Sequence, residues 1–243
     1  MGRIYVVGIG PGDENNMTAR SREVLSVCDV IVGYKTYTDL IAGMFPGKKI
    51  VESSMRQERE RCEKCVELAG SGSDVALICS GDAGIYGMAS PMLEVAAKAD
   101  FDDIEIVPGV TAALSGGALL GAPVGHDMCT ISLSDLLTPW ELIEKRLRCA
   151  AEADLCIVLY NPASRTRKDH LRAACDILLT TLPGNRCCGW VKNVGRCGSS
   201  YGICTLADLS GIDADMFTTV FIGNSMTYEE NGRMITPRGY GKK

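Results

Sequence analysis

The sequence predicts an α/β protein made of two α/β domains, the first around a mostly parallel sheet and the second around a mixed one. Three observations predict this. Short apolar runs ending in glycine alternate with helical segments through the first half. Beyond residue 123 the candidate strands outnumber the helices, which calls for an antiparallel component. A chain of 243 residues, 46% of them hydrophobic, also suffices for a core without disulfide staples. The expected division is a first domain over residues 1–115, carrying a glycine-rich loop, and a second over 116–243.

Taken in order, Ile4–Val7 is β-rich and stops at Gly8, Thr18–Cys28 has helical spacing, and Asp29–Gly33 is again β. Arg56–Ala69 reads as a helix, Val75–Cys79 as a strand ending at Ser80-Gly81, Met88–Lys98 as a helix and Ile104–Val107 as a strand. From Ile106 to Gly125 twenty residues pass without a charge, the length of a membrane span. Pro108, Pro123 and five glycines make it instead a buried Gly/Ala-rich helix near the domain junction. The second half offers strands at Cys129–Leu133, Leu155–Tyr160, Cys187–Lys192, Ser200–Leu206 and Phe217–Ile222, with helices at Pro139–Ala153 and Thr166–Thr181.

Charge and cysteine content narrow the function. With 25 basic against 30 acidic residues spread along the chain, the net charge of −5 argues against nucleic acid or an anionic membrane as the main partner. The first twenty residues lack an apolar signal core, so the expected compartment is the reducing cytoplasm. Of the 12 cysteines only Cys62 and Cys65 form a C-x-x-C, and no second such pair completes a four-ligand zinc site. No metal is predicted, and the thiols are read as small hydrophobes. Cys187, Cys188, Cys197 and Cys204 keep a metal or cluster alternative open.

Three loops carry the functional signal, each after a strand. GIGPGD (Gly8–Asp13) sits where a dinucleotide-binding fingerprint would, but Asp13 replaces the third glycine and opposes a pyrophosphate. No carboxylate follows the second strand to hold a ribose, and no GK[ST] follows the loop. An NAD(P)-dependent oxidoreductase therefore stands only as the alternative from another class. CSGDAGIYG (Cys79–Gly87) offers Asp82 as an acceptor for a ligand hydroxyl or ammonium. VPGVTA (Val107–Ala112) offers main-chain N–H groups of Thr111 and Ala112 at a helix start.

These loops, with GAPVGHD, ISLSDLLTPWELIEKRL, LYNPASRTR, VKNVGR, TTVFIGNS and NGRMITPRGY, resemble the tetrapyrrole (class III) S-adenosylmethionine-dependent methyltransferases. SLSDLLTPWE and the PRGY tail resemble the branch that methylates carbon 17 of precorrin-3B or cobalt-factor III in cobalamin biosynthesis, with ring contraction. The likeness runs from Gly8 to Tyr240 and departs at Ala83, where the family usually has proline. Action at another ring position or on another acceptor is the alternative within the fold.

The resemblance implies two α/β domains with an active-site cleft between them, S-adenosyl-L-methionine as cofactor with S-adenosyl-L-homocysteine as product, a tetrapyrrole substrate, and a cytoplasmic homodimer. Carried over by motif, the cofactor contacts are Pro11, Ser80, Gly81, Asp82, Ile85, Thr111, Ala112, Tyr160, Asn161, Val194, Thr218 and Thr219. Ring contraction calls for acid–base help, for which Asp13, His126 and Asp127 are the candidates. His170, in a charged helical context, is expected to be a solvated surface residue. Arg56, Arg59, Arg165, Arg167, Lys192 and Arg196 are candidate partners for substrate carboxylates.

Overall fold

In the computed structural model, which describes residues 1–164 and 166–240, the chain divides into two units, Met1–Thr111 and Ala112–Lys243. This boundary falls a few residues before the 115/116 division expected, because the helix that opens at Ala112 packs on the second sheet.

The first unit runs β1 (Ile4–Gly8), α1 (Ala19–Val27), β2 (Val30–Tyr34), α2 (Lys35–Ile41), β3 (Lys49–Ser53), α3 (Glu58–Gly70), β4 (Val75–Cys79), α4 (Ala89–Lys98) and β5 (Ile104–Val107). Its five strands form one all-parallel sheet in the order β3-β2-β4-β1-β5. Strand alternation sorts its apolar residues between two cores. Ile4, Val6, Val30, Val32, Val75 and Leu77 face α3 and α4, while Val7, Ile31, Ala76 and Ile78 face the layer of Val24, Leu25 and Ile41 from α1 and α2. Burial on both faces is why these strands read as continuous apolar runs. Cys62 and Cys65 share the inner face of α3.

The second unit contains α5 (Ala112–Leu120), β6 (Gly121–Ala122), β7 (Met128–Ser132), α6 (Trp140–Glu152), β8 (Cys156–Tyr160), α7 (His170–Leu178), β9 (Cys187–Lys192), β10 (Ser200–Thr205), α8 (Leu206–Leu209), β11 (Thr218–Ile222), β12 (Tyr228–Glu230) and β13 (Arg233–Ile235). Its main sheet has the order β10-β9-β11-β8-β7, parallel between β7 and β8 and antiparallel elsewhere. Helices α6, α7 and α8 cover one face, and α5 covers the other around Val158, Val191 and Phe221. The mixed sheet is thus as the composition of the second half required.

Differences from the sequence expectation have local causes. α2, β3 and the β12–β13 hairpin are additional elements. β3 is an edge strand and the hairpin buries only Met234, so neither shows a continuous apolar run. α7 starts at His170 rather than Thr166, and Ser164 and Arg167 exchange two main-chain hydrogen bonds before it.

Candidate active site

In the first unit every strand points the same way, so the loops after β1, β4 and β5 meet at one edge, where α/β sheets bind ligands. Main chain packs directly on main chain there. Gly10 N donates to Gly81 O at 3.0 Å, and Gly81 N donates back to Gly10 O at 2.7 Å. A Cβ on Gly109 would lie 2.1 Å from Gly81 O and 2.6 Å from Gly8 O. The close approach of the three loops is therefore what forbids a side chain at that position. These glycines weld loops together, which explains a glycine-rich turn that is not a phosphate cradle.

Asp82 fastens the weld. Its Oδ1 accepts from Gly84 N (2.8 Å) and Ile85 N (3.2 Å), and its Oδ2 accepts from Gly109 N (2.9 Å). Asp82, expected to accept from a ligand, is bonded to three main-chain amides and so shapes the loop. The loop then holds Ile85 and Tyr86 exposed, with Tyr86 at φ 54°, a left-handed conformation that a bulky residue adopts only under constraint. Pro11 is buried and Ser80 half-buried in the same group of loops.

Asp13 caps the short turn at Glu14–Asn16, accepting from Asn16 N at 3.0 Å and from Asn16 Nδ2. Two residues that sequence reasoning missed tie the edge to α1. Thr18 caps this helix, and buried Ser21 donates to Gly8 O at 2.9 Å, while Thr18 reaches Pro108 O at 3.2 Å. The signal was present, as a Thr-x-x-Ser at a helix start.

The second unit gathers its share of the candidates at one edge of its own sheet. Tyr160 and Asn161 end β8, Val194 follows β9, and Thr218 and Thr219 open β11, which runs antiparallel to both. Thr218 and Thr219 are buried, and Asp215 accepts from Thr218 Oγ1 and Phe217 N. Tyr160 Oη accepts from Ala113 N at 2.9 Å, fixing the start of α5 just after Thr111 and Ala112. Asn161 stands in the left-handed region at φ 54° and donates through Nδ2 to Ser132 Oγ at 2.9 Å. Beside this edge, a recess of about 600 Å³ is lined by Lys168, Arg172, Ile212, Asp215 and Phe217.

His126 and Asp127 do not join this group. They precede β7, whose parallel register with β8 puts them at the edge of the sheet opposite Tyr160. His126 is 42% exposed, and its Nδ1 accepts from Asp127 N. Their expected place beside the other candidates is corrected accordingly. The expectation for His170 is also corrected. Its side chain is only 19% exposed, lies 3.2 Å from Asp135, and meets Trp140 edge-on at 4.9 Å. Burial acts to raise the Asp135 carboxyl, but the His170 hydrogen bond, the His170 charge and Arg167 hold it below its ordinary value.

Most candidate cations have local partners. Arg59 pairs with Glu63, Lys192 with Asp213 and Asp215, and Arg167 with Asp135, while Arg196 stacks over Phe217. Arg165 lies outside the described residues. Burial pushes the Cys62 thiol up to about 11 and the Cys175 thiol up to about 12, far from thiolate chemistry at neutral pH. Among the described residues no group of three or more His, Cys, Asp or Glu is placed to hold a metal, and no helix is long and apolar enough to cross a membrane. What both edges offer is shaped main chain and apolar surface, suited to positioning ligands more than to attacking them.

A family model described as tetrapyrrole (corrin/porphyrin) methylases matches residues 3–210. A Salmonella typhimurium protein named probable cobalt-factor III C(17)-methyltransferase is 47% identical over 98% of this chain and 99% of its own length. A Sinorhizobium precorrin-3B C(17)-methyltransferase is 38% identical over 98% of this chain and 97% of its own. Some relatives are longer, and this chain spans about half of them. Among solved structures, that of the methyltransferase CobJ superposes with a TM-score of 0.91 at 34% identity, covering 98% of this chain and all of that one.

Proposed function

The chain belongs to the tetrapyrrole (corrin/porphyrin) methylases, and from that premise we propose that it methylates carbon 17 of a corrin precursor, cobalt-factor III or precorrin-3B, with contraction of the macrocycle. The observation that carries this reading is end-to-end identity of 47% with a relative named for that reaction. S-Adenosyl-L-methionine supplies the methyl group, as an electrophile that needs no nucleophile from the protein. Alignment of donor and acceptor in a water-poor site then supplies the acceleration, worth up to about 7–11 kcal/mol in favourable systems.

We assign cofactor binding to Pro11, Ser80, Gly81, Ile85, Thr111 and Ala112, and to Tyr160, Asn161, Val194, Thr218 and Thr219. The donor set suits such a ligand. Exposed Ile85 lies beside glycine main chain, and Gly84 has only Asp82 Oδ1 near the position a Cβ would take. Asp82 acts through the loop it ties. For the proton transfers of ring contraction we assign Asp13, the carboxylate of the glycine loop. Asp13→Asn keeps the turn capped and removes the charge, so it should leave cofactor affinity unchanged and slow turnover at least tenfold. His126→Ala should leave turnover within about twofold. An undiminished rate in Asp13→Asn, or a slow His126→Ala, would exchange the two assignments.

The deciding experiment is calorimetry with S-adenosylhomocysteine, followed by incubation with cobalt-factor III and precorrin-3B side by side and location of the new methyl by NMR. No heat of binding counts against the cofactor, and a methyl on another carbon moves the protein to another step. We also take it to work in the cytoplasm as a homodimer. Sedimentation equilibrium at a single-chain mass would remove the dimer.

A further inference from the structure

The loop from Leu133 to Pro139 follows β7 and stands beside the loop that follows β8, at the C-terminal ends of the parallel pair in the second sheet. Leu136 is 57% and Leu137 98% exposed. A single exposed leucine needs no explanation. These two stand at the tip of a loop whose remainder is tightly held. Leu133 is fully buried and its N–H donates to Tyr160 O at 2.9 Å. Arg167, 17% exposed, donates through Nη1 to Ser134 Oγ at 2.5 Å and lies 3.7 Å from Asp135, which His170 grips from the other side at 3.2 Å. The loop is thus held by a partly buried polar network while the two apolar side chains at its tip are left in water.

We infer that Leu136 and Leu137 form a preorganised platform for the apolar face of the tetrapyrrole, and that Asp135, held by His170 and Arg167, is the positioning residue that sets it. The inference rests on the reaction proposed above. Three features select this occupant. The platform lies where parallel strands end, the usual docking edge. Its tip offers two adjacent aliphatic side chains, which suit a broad flat ring better than a polar amino-acid moiety. Lys168, exposed on the neighbouring loop, supplies a cation for carboxylates at the rim of such a ring. A rigid loop that already holds the bound geometry also loses little entropy on binding.

The test is steady-state methyl transfer from labelled S-adenosylmethionine to cobalt-factor III by the full chain and its variants. Leu136→Ser and Leu137→Ser should each raise the KM for the tetrapyrrole on the order of tenfold, the factor expected when one leucine loses its apolar contact. The KM for S-adenosylmethionine, the melting temperature and the sedimenting mass should not change. Asp135→Ala should raise the same KM, and Asp135→Asn, which still accepts a hydrogen bond, should restore most of it. An unaltered tetrapyrrole KM in the double leucine variant would overturn the platform while leaving the reaction intact. Dissociation of an oligomer in that variant would overturn it by giving the patch to a second copy of the chain. Failure of the parent protein to methylate any tetrapyrrole would instead sink the underlying reading.

Discussion

The two units build their functional edges from different materials. In the first, glycine main chain packs against glycine main chain, and Asp82 stitches three amides together. In the second, side chains hold the loops apart and in place through Ser132 with Asn161, Ser134 with Arg167, and Asp135 with His170. A main-chain edge tolerates no added atom, whereas a side-chain edge loses one bond at a time. The first unit should therefore respond to substitution by loss of fold, and the second by graded loss of alignment.

Gly109→Ala is the severest way to break that contrast. Its Cβ would meet two carbonyl oxygens of the neighbouring loops, so a loss of about 3 kcal/mol is expected in urea unfolding, in the upper range for overpacking. A loss below about 1 kcal/mol would show that the loops can part. Asp82→Ala comes next. It strands three amides, and a loss of about 1–2 kcal/mol should accompany at least tenfold weaker S-adenosylhomocysteine binding by calorimetry. Unchanged affinity would separate the weld from the ligand site.

Ser132→Ala probes the second unit. Removing the hydroxyl that accepts from Asn161 Nδ2 and Ser134 N should cost about 1 kcal/mol and leave the cooperative transition intact. The smallest effect is expected at the rim of the first sheet. There the Arg20 hydrogen bond, opposed by burial, and the charges of Arg20 and Arg3 hold the Glu105 carboxyl below its ordinary range. A carboxylate depressed in the folded state contributes stability that is full above the unfolded value and lost as pH falls through the folded one. Glu105→Gln should therefore slightly lower the melting temperature near neutrality and flatten its decline in acid. Parallel acid limbs for parent and variant would remove the pair from the account.

The same contrast decides what could be read from the sequence. Gly8, Gly10, Gly81 and Gly109 stand out because a Cβ at Gly8, Gly10 or Gly109 would meet main chain and because Gly10 and Gly81 have φ of +76° and +70°, where glycine is favoured. The inner parallel strands β1, β2 and β4 were equally legible, being apolar on both faces, whereas the edge strand β3 was not. The network around Asp135 was not, since Arg167 and His170 lie more than thirty residues away in the chain and meet it only once β7 and β8 pair. His170 looked like a surface residue because a charged helical context does not reveal which loop will cover it. Asp82 was found as an acceptor, but its three main-chain partners were not legible, because an acceptor in a loop looks the same whether a ligand or a backbone amide fills it. His126 was misplaced because proximity to a motif in sequence does not say which end of a strand it occupies.

The strand order of the first sheet also dictates a history. β1 lies between β4 and β5, so Ile4 finds its neighbours at Val75 and Ile104. β1 precedes β5 by about a hundred residues, so it is paired on both sides only once that much more chain has been made. Such long loops slow the closing step, whereas β9 and β10 of the second sheet pair across a short connection. During synthesis Ile4–Gly8 thus keeps an unpaired edge for longer than the edge of β9 that β10 covers.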